Sequence, residues 1–316
     1  MARKINRKRF LEILGGGILA LLGLPHLLTP TGHRRPSAGA GQKSKPVSRK
    51  SHLVVARGED PYAITVAAIS ALGGAERFVK KGDRVVIKPN IAFNRAPELA
   101  ATTNPEVVAA IVDLCLKAGA KEVKVFDRPV NPARMTYHRS GIAKAAKKAG
   151  ARVVFMDERK FEKIDIPQGK SLKSWPLYRE ALEADVLINV PIAKHHSLTR
   201  LTLGMKNIMG LLGGNRGRLH WGIAQKLADL NTIIPVHLTV MDAYRVLTSH
   251  GPSGGRPEDV RLIGTVIAGV DRVAVDAYTT SLFGLEPEDI GYITKGHQMG
   301  LGEMDMQKVE IEEIRV

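Results

Sequence analysis

From residue 52 onward, short apolar runs alternate with longer segments whose apolar residues recur every three or four positions. Runs of four to eight apolar residues bounded by turn formers predict strands, and the three-to-four spacing predicts amphipathic helices. The strand segments are DRVVIKPN (83–90), KEVKVFDRP (121–129), ARVVFMDE (151–158), ADVLINVP (184–191), VHLTVMDAY (236–244) and RLIGTVIAGVD (261–271). Between them, NPEVVAAIVDLCLKAGA predicts a helix capped by Asn104, with Pro105 at its first position and Gly119 at its end. SGIAKAAKKAG predicts a second helix, from a Ser140 cap to a terminal Gly150. Strands alternating with helices predict an α/β fold with a mostly parallel sheet flanked by helices, formed by residues 52–316 as one domain.

Nearly every predicted strand ends in a polar group: Lys88 and Asn90, Asp127 and Arg128, Asp157, Lys194, Asp242 and Asp271. In open α/β sheets the carboxyl ends of the strands border the ligand crevice, so this regularity places candidate chemistry there. Asp157 and Asp271 are read instead as turn formers or helix caps, a common use of aspartate after a strand. Lys88 is either a surface residue or part of a site; the following Pro89 keeps it extended, and Asn90 can donate and accept beside it. Alternation sends His195 and His196 to opposite faces, and His196 is the one expected to enter the crevice. Ten residues on comes Lys206, followed by Asn207, which either caps the next turn or lies beside the lysine, and then His220. A neutral imidazole can bind a metal or carry a proton, and a desolvated lysine can lose its proton or bond to a carbonyl carbon.

Two flexible segments flank these residues. GLLGGNRGR (210–218) is either a mobile surface loop or an anion-cradling nest with two arginines, and SHGPSGGRP (249–257) could close over the crevice. Asp276 is placed on a helix, too far round from Asp271 for a carboxylate pair.

Charge changes the picture less than its total suggests. The 316 residues carry a formal +16, but residues 1–50 hold eleven Lys or Arg against one Glu, leaving only +6 for the rest. That remainder suits a small anionic ligand, and aromatics at 5% are too sparse for a base-stacking surface, so no nucleic-acid partner is expected. Cys115, the single cysteine, reads as a buried helix residue. One thiol cannot hold an iron–sulfur cluster or a thiolate zinc site, so the chain alone holds no cluster.

Residues 1–28 combine a basic start with an apolar stretch from Ile13 to Leu24 that is too short and glycine-rich for a comfortable membrane span. They predict a signal peptide or N-terminal anchor, and hence export across, or anchoring to, the cytoplasmic membrane. Asn6-Arg7-Lys8-Arg9-Phe10-Leu11-Glu12 resembles the twin-arginine motif, with Lys8 in place of the second arginine, and implies the export machinery as a partner. Cleavage at Ala38-Gly39-Ala40 competes with an uncleaved anchor. Residues 29–51 lack large apolar residues almost entirely and predict a disordered basic linker.

Taken in order, Lys88-Pro89-Asn90, Lys194-x-His196, Lys206-Asn207-x-x-Gly210, the later His220, VMDAYRVLTSHGP and GVDRVAVDAYTTSLFG resemble the domain of unknown function 362 family. The resemblance implies an association with iron–sulfur proteins, with any cluster on a partner. Asp127-Arg128-Pro129, His196, Lys206 and His220 are more distantly similar to lactate racemase and its relatives, which surround a nickel-pincer nucleotide. That similarity implies a metal-containing cofactor, with Lys206 as attachment point, His220 as metal ligand and His196 as proton carrier. It departs in lacking the intervening residues of the Asp-Arg-Pro motif and any match to the earlier catalytic histidine pair. The expectation is therefore an enzyme or redox accessory for a small anionic substrate. His196, Lys206 and Lys194 would be catalytic, Lys88, Asn90, Asp127, Arg128 and Asn207 anion-binding, and His220 metal-binding. A periplasmic binding protein for an anionic ligand or cofactor is the rival, and a racemase or isomerase relative a further one.

Overall fold

The computed structural model describes residues 51–316. The segments expected at residues 1–28 and 29–51 therefore lie outside the described residues, apart from Ser51, which belongs to the first strand.

Twelve strands form among the described residues: β1 (Ser51–Arg57), β2 (Arg84–Pro89), β3 (Glu122–Val125), β4 (Arg152–Val153), β5 (Phe161–Asp165), β6 (Ser174–Tyr178), β7 (Val186–Val190), β8 (Ile192–His196), β9 (Arg200–Thr202), β10 (Leu238–Leu247), β11 (Val260–Gly269) and β12 (Val309–Arg315). The main sheet runs β12-β1-β11-β10-β7-β2-β3-β4, with β8 paired to β10 and β9; β5 and β6 form a separate hairpin. Along that order only β11 runs antiparallel to its neighbours, so the expected mostly parallel α/β sheet is what the chain builds.

The pleat sorts the apolar residues between two faces. Val85 and Ile87 face a core shared with α1 (Pro61–Ala71) and α2 (Pro105–Lys117), while Val86 faces the opposite core with Phe126 and Leu187. Toward the β1 end, Leu53 and Val55 point to that second face and pack beneath later helices of the chain. Cys115 lies in the α2 core, its thiol pushed up to about 12 by burial.

Local expectations hold where the chemistry is local. Asn104 caps α2 by accepting from the Glu106 amide, with Pro105 first in the helix. Asp157 and Asp271 accept from backbone amides two and three residues on, as caps do. The second predicted helix begins one step later than expected. Gly141, at φ 73°, turns the chain into Ile142, and the Ser140 hydroxyl reaches the Ile142 amide at 3.4 Å.

Long-range pairing made the other differences. The segments 121–129 and 151–158 contribute only four and two strand residues, because β4 is the sheet edge and has little to pair with. The strands β1 and β12, unassigned from the pattern, pair with each other over seven residues. The run 184–196 is not one strand. Pro191 lacks an amide hydrogen, β7 ends beside β2 at Val190, and the chain continues as β8 along β10. Parting from β2 there opens a fork at the carboxyl ends of the strands.

Candidate functional site

The fork is floored by lysine. Lys88 lies at the end of β2, on the same face as Val86, and is 1% exposed. Its Nζ donates to Asp127 Oδ1 at 2.8 Å, to the Pro89 carbonyl at 2.6 Å and to Asn207 Oδ1 at 3.1 Å. Burial pushes its pKa down, and the Asp127 charge pulls against that shift. Asp127 is fixed in turn by the Ile91 amide at 2.6 Å and the Arg128 amide at 2.9 Å.

Asn207 is the hub of this floor and caps nothing. Its amide donates to Asn189 Oδ1 at 2.9 Å and to the Lys88 carbonyl at 3.2 Å, while its oxygen also accepts from Asn90 Nδ2 at 3.0 Å. From β8, Lys194 donates to Asn90 Oδ1 at 3.1 Å and to the Ala101 carbonyl at 2.5 Å, and its ammonium sits 4.8 Å from the Phe93 ring centroid. All its partners are neutral. Burial, with Lys206 and Lys88 adding to it, lowers its pKa well below the usual lysine value.

The two histidines part as alternation predicts. His195 turns away and accepts from the Gly251 amide at 3.1 Å. His196 borders the cavity, and its Nδ1 accepts from the amides of Leu198 and Thr199 at 3.1 and 3.4 Å. Two amides on Nδ1 put the ring hydrogen on Nε2. Burial and then the Lys206 charge hold its pKa down at about 3, so the ring is a neutral donor at physiological pH.

Lys206 sits on a short helical turn, residues 204–207, whose backbone is gripped from every side. Asp276 accepts from the Gly204 and Met205 amides at 2.7 and 2.8 Å, Asn189 donates to the Gly204 carbonyl and Asn231 to the Met205 carbonyl. Burial raises Asp276 to about 7, and its carboxyl is spent on positioning this turn. At its end Lys206 is 7% exposed and has no hydrogen bond or ion pair among the described residues. Burial, then the Arg216 charge, brings its pKa down to about 8.

The glycine-rich loop packs against the floor. A Cβ on Gly210 would collide with Asp127 Oδ1 and lie 2.7 Å from Lys88 Nζ, so only glycine fits. Arg128 lines the cavity with its guanidinium engaged by the protein itself: it donates to the carbonyls of Leu212 and Gly214 and pairs with Glu158 at 3.1 Å. Arg216 also borders the cavity, tied to the carbonyls of Arg128 and Pro129 at 2.8 and 3.0 Å. The sequence pointed to Arg216 only as one of two arginines in the 210–218 loop, and did not point to Asn189. Asn189 had a signal, a lone amide inside an otherwise apolar strand.

These residues enclose one cavity of about 730 Å³ bordered by Lys88, Asn90, Asp127, Lys194, His196, Lys206, Asn207 and, at its rim, His220. His220 is exposed, with Nδ1 3.0 Å from the Gly217 carbonyl. Among the described residues no three His, Cys, Asp or Glu side chains converge as a metal held by protein ligands alone would require. Only His196 and His220 supply imidazoles to the cavity, fewer than the metal-ligating and acid–base histidines that the nickel-pincer resemblance implies. The residues present do not fit that cofactor's site.

Fold and site together define an α/β protein with a cationic crevice where its parallel strands end. The chain belongs to the family described as Domain of unknown function (DUF362), which matches residues 85–281. It is 28% identical over 242 residues to the thylakoid-associated protein sll1697 of Synechocystis sp., covering 74% of this chain and 73% of that protein. Among solved structures it is similar to the lactate racemase apoprotein of Thermoanaerobacterium thermosaccharolyticum, at 12% identity and a TM-score of 0.42, over 69% of this chain and 54% of that one. A Thermotoga maritima protein gives 13% identity and a TM-score of 0.39, over 72% of this chain and 60% of that one. The chain thus spans less than two thirds of either solved protein.

Proposed function

We propose that this protein is an enzyme that binds a small anionic substrate against Lys194 and Lys206 and moves a proton on it. One observation carries the reading: positive charge is buried here without its complement. Lys88, Lys194, Lys206 and Arg216 border the cavity, and Asp127 is the single buried carboxylate among its lining residues, already paired with Lys88. Buried ammonium groups facing only neutral partners are costly, and an anion entering the cavity supplies what they lack.

A second feature favours catalysis over storage. Lys206, with a pKa of about 8, exchanges a proton near neutrality, which a purely electrostatic anion site does not need. In its neutral form it accepts a proton from a carbon or oxygen beside the substrate's anionic group. The His196 Nε2–H, fixed by the two amides on Nδ1, donates to the oxygen on which charge develops. This gives His196 the part of a neutral donor, while Lys206 carries the proton. Export or anchoring through residues 1–28 belongs to the same proposal, and the description of the Synechocystis relative as thylakoid-associated is in keeping with a membrane address.

The test incubates the full chain in D₂O with 2-hydroxy and 2-oxo carboxylates and follows deuteron incorporation, at C2 of the former and C3 of the latter, by NMR. Exchange that disappears in Lys206→Met is the expected result. Binding of these acids by calorimetry with no exchange on any of them would assign the rival role, a carrier of anionic ligands.

A further inference from the structure

The cavity is larger than a small anion needs, and apolar side chains line it beside the cationic ones. Lys88, Lys194, His196 and Lys206 belong to the floor, whereas the segments after β3 and β4 add a wall in which Val130, Ala133, Phe155 and Met156 stand among Arg128, Asn131 and Glu158. A volume of about 730 Å³ falls in the range that encloses drug-sized molecules.

Two features of that wall point to a ligand. Val130 is 65% exposed and Phe155 48% exposed, and both border the cavity. Phe155 is nonetheless held in place: its ring packs 4.9 Å from Tyr137, itself buried, and the Arg134 guanidinium lies 5.8 Å from its centroid. An exposed apolar surface whose ring is backed by a buried tyrosine, beside a cationic floor, is arranged for a molecule that is charged at one end and apolar along the rest. Phe93 and Met209 also line the cavity, so apolar contact is not limited to one segment of the chain.

We infer that the substrate is amphipathic, an anionic head group joined to an alkyl or aryl body that covers Val130 and Phe155 while the head meets Lys194 and Lys206. This rests on the anion-binding reading above and extends it from charge to shape. Short acids would fill the floor and leave the wall hydrated; longer ones would displace that water.

The experiment is calorimetry on the full chain with acetate, butanoate, hexanoate, octanoate and 4-phenylbutanoate, with octyl phosphate and neutral octanamide as controls. Each added methylene that reaches the wall is expected to tighten binding about fourfold, the equivalent of about 0.8 kcal/mol per buried CH₂. Phe155→Ser is expected to flatten that slope. A slope along the carboxylates supports the inference, and octyl phosphate bound more or less tightly than octanoate tells whether the head site prefers phosphate or carboxylate. Acids bound with one affinity whatever their length would overturn it and leave the anionic reading standing. Octanamide bound as tightly as octanoate would overturn both.

Discussion

Lys206 should be a liability to the unliganded fold, and removing it should make the protein more stable. The residue is 7% exposed, its ammonium has no partner among the described residues, and its pKa falls from the ordinary 10.5 to about 8. Each unit of displacement is about 1.36 kcal/mol, so at pH 7 the charged form opposes folding by about 3 kcal/mol. The direction follows from the protons. Between pH 8 and 10.5 the unfolded chain holds a proton on this amine that the folded chain has released, so stability rises with pH across that window. Below pH 8 the penalty is fully present. Lys206→Met, similar in length and apolar, should therefore raise the unfolding free energy by about 3 kcal/mol at pH 7. The gain should shrink to almost nothing near pH 10.5. Urea titrations of both proteins at pH 7 and pH 10, followed by tryptophan fluorescence and circular dichroism, measure the difference. A variant no more stable than the parent at pH 7, or a gain equal at both pH values, would refute the reasoning.

The Lys88–Asp127 pair should respond unequally to loss of its two members. Asp127→Ala strands a buried ammonium and two amides and should cost at least about 3–5 kcal/mol, whereas Lys88→Met leaves the carboxylate still accepting from Ile91 and Arg128 and should cost less; equal midpoints in denaturant would contradict this. Gly210→Ala drives a methyl into Asp127 and should destabilise by about 1–3 kcal/mol while weakening anion binding, read by the same titrations and by calorimetry. Arg128→Ala should loosen the 212–214 segment, seen as faster amide hydrogen exchange there, and leave the salt dependence of anion binding as it was, since this guanidinium is committed to backbone carbonyls and Glu158.

How far the sequence reached depended on how local each cause was. Caps such as Asn104 and Asp271, and the face chosen by His196 over His195, follow from neighbours within a few residues, and the pattern showed them. The clustering of Lys88, Lys194 and Lys206 was legible because each follows an apolar strand or turn at the same end of a parallel sheet. What Arg128 does was not legible, since the carbonyls it donates to lie more than eighty residues away in a loop. Nor could the pattern reveal that Nδ1 of His196 is taken by backbone amides, which turns a general acid–base candidate into a neutral donor. Strand ends suffered similarly: nothing in residues 184–196 except Pro191 marks the point where the chain changes neighbours.

That change of neighbours has a consequence for how such a protein can diversify. The crevice is a split between two prongs, β2 with its following segment on one side and β8 with β9 on the other, while the strands beneath stay paired. Residues added or removed at either tip would widen or narrow the gap without touching the paired core. Relatives could thus exchange one guest for another of different girth while keeping the same lysines at the bottom.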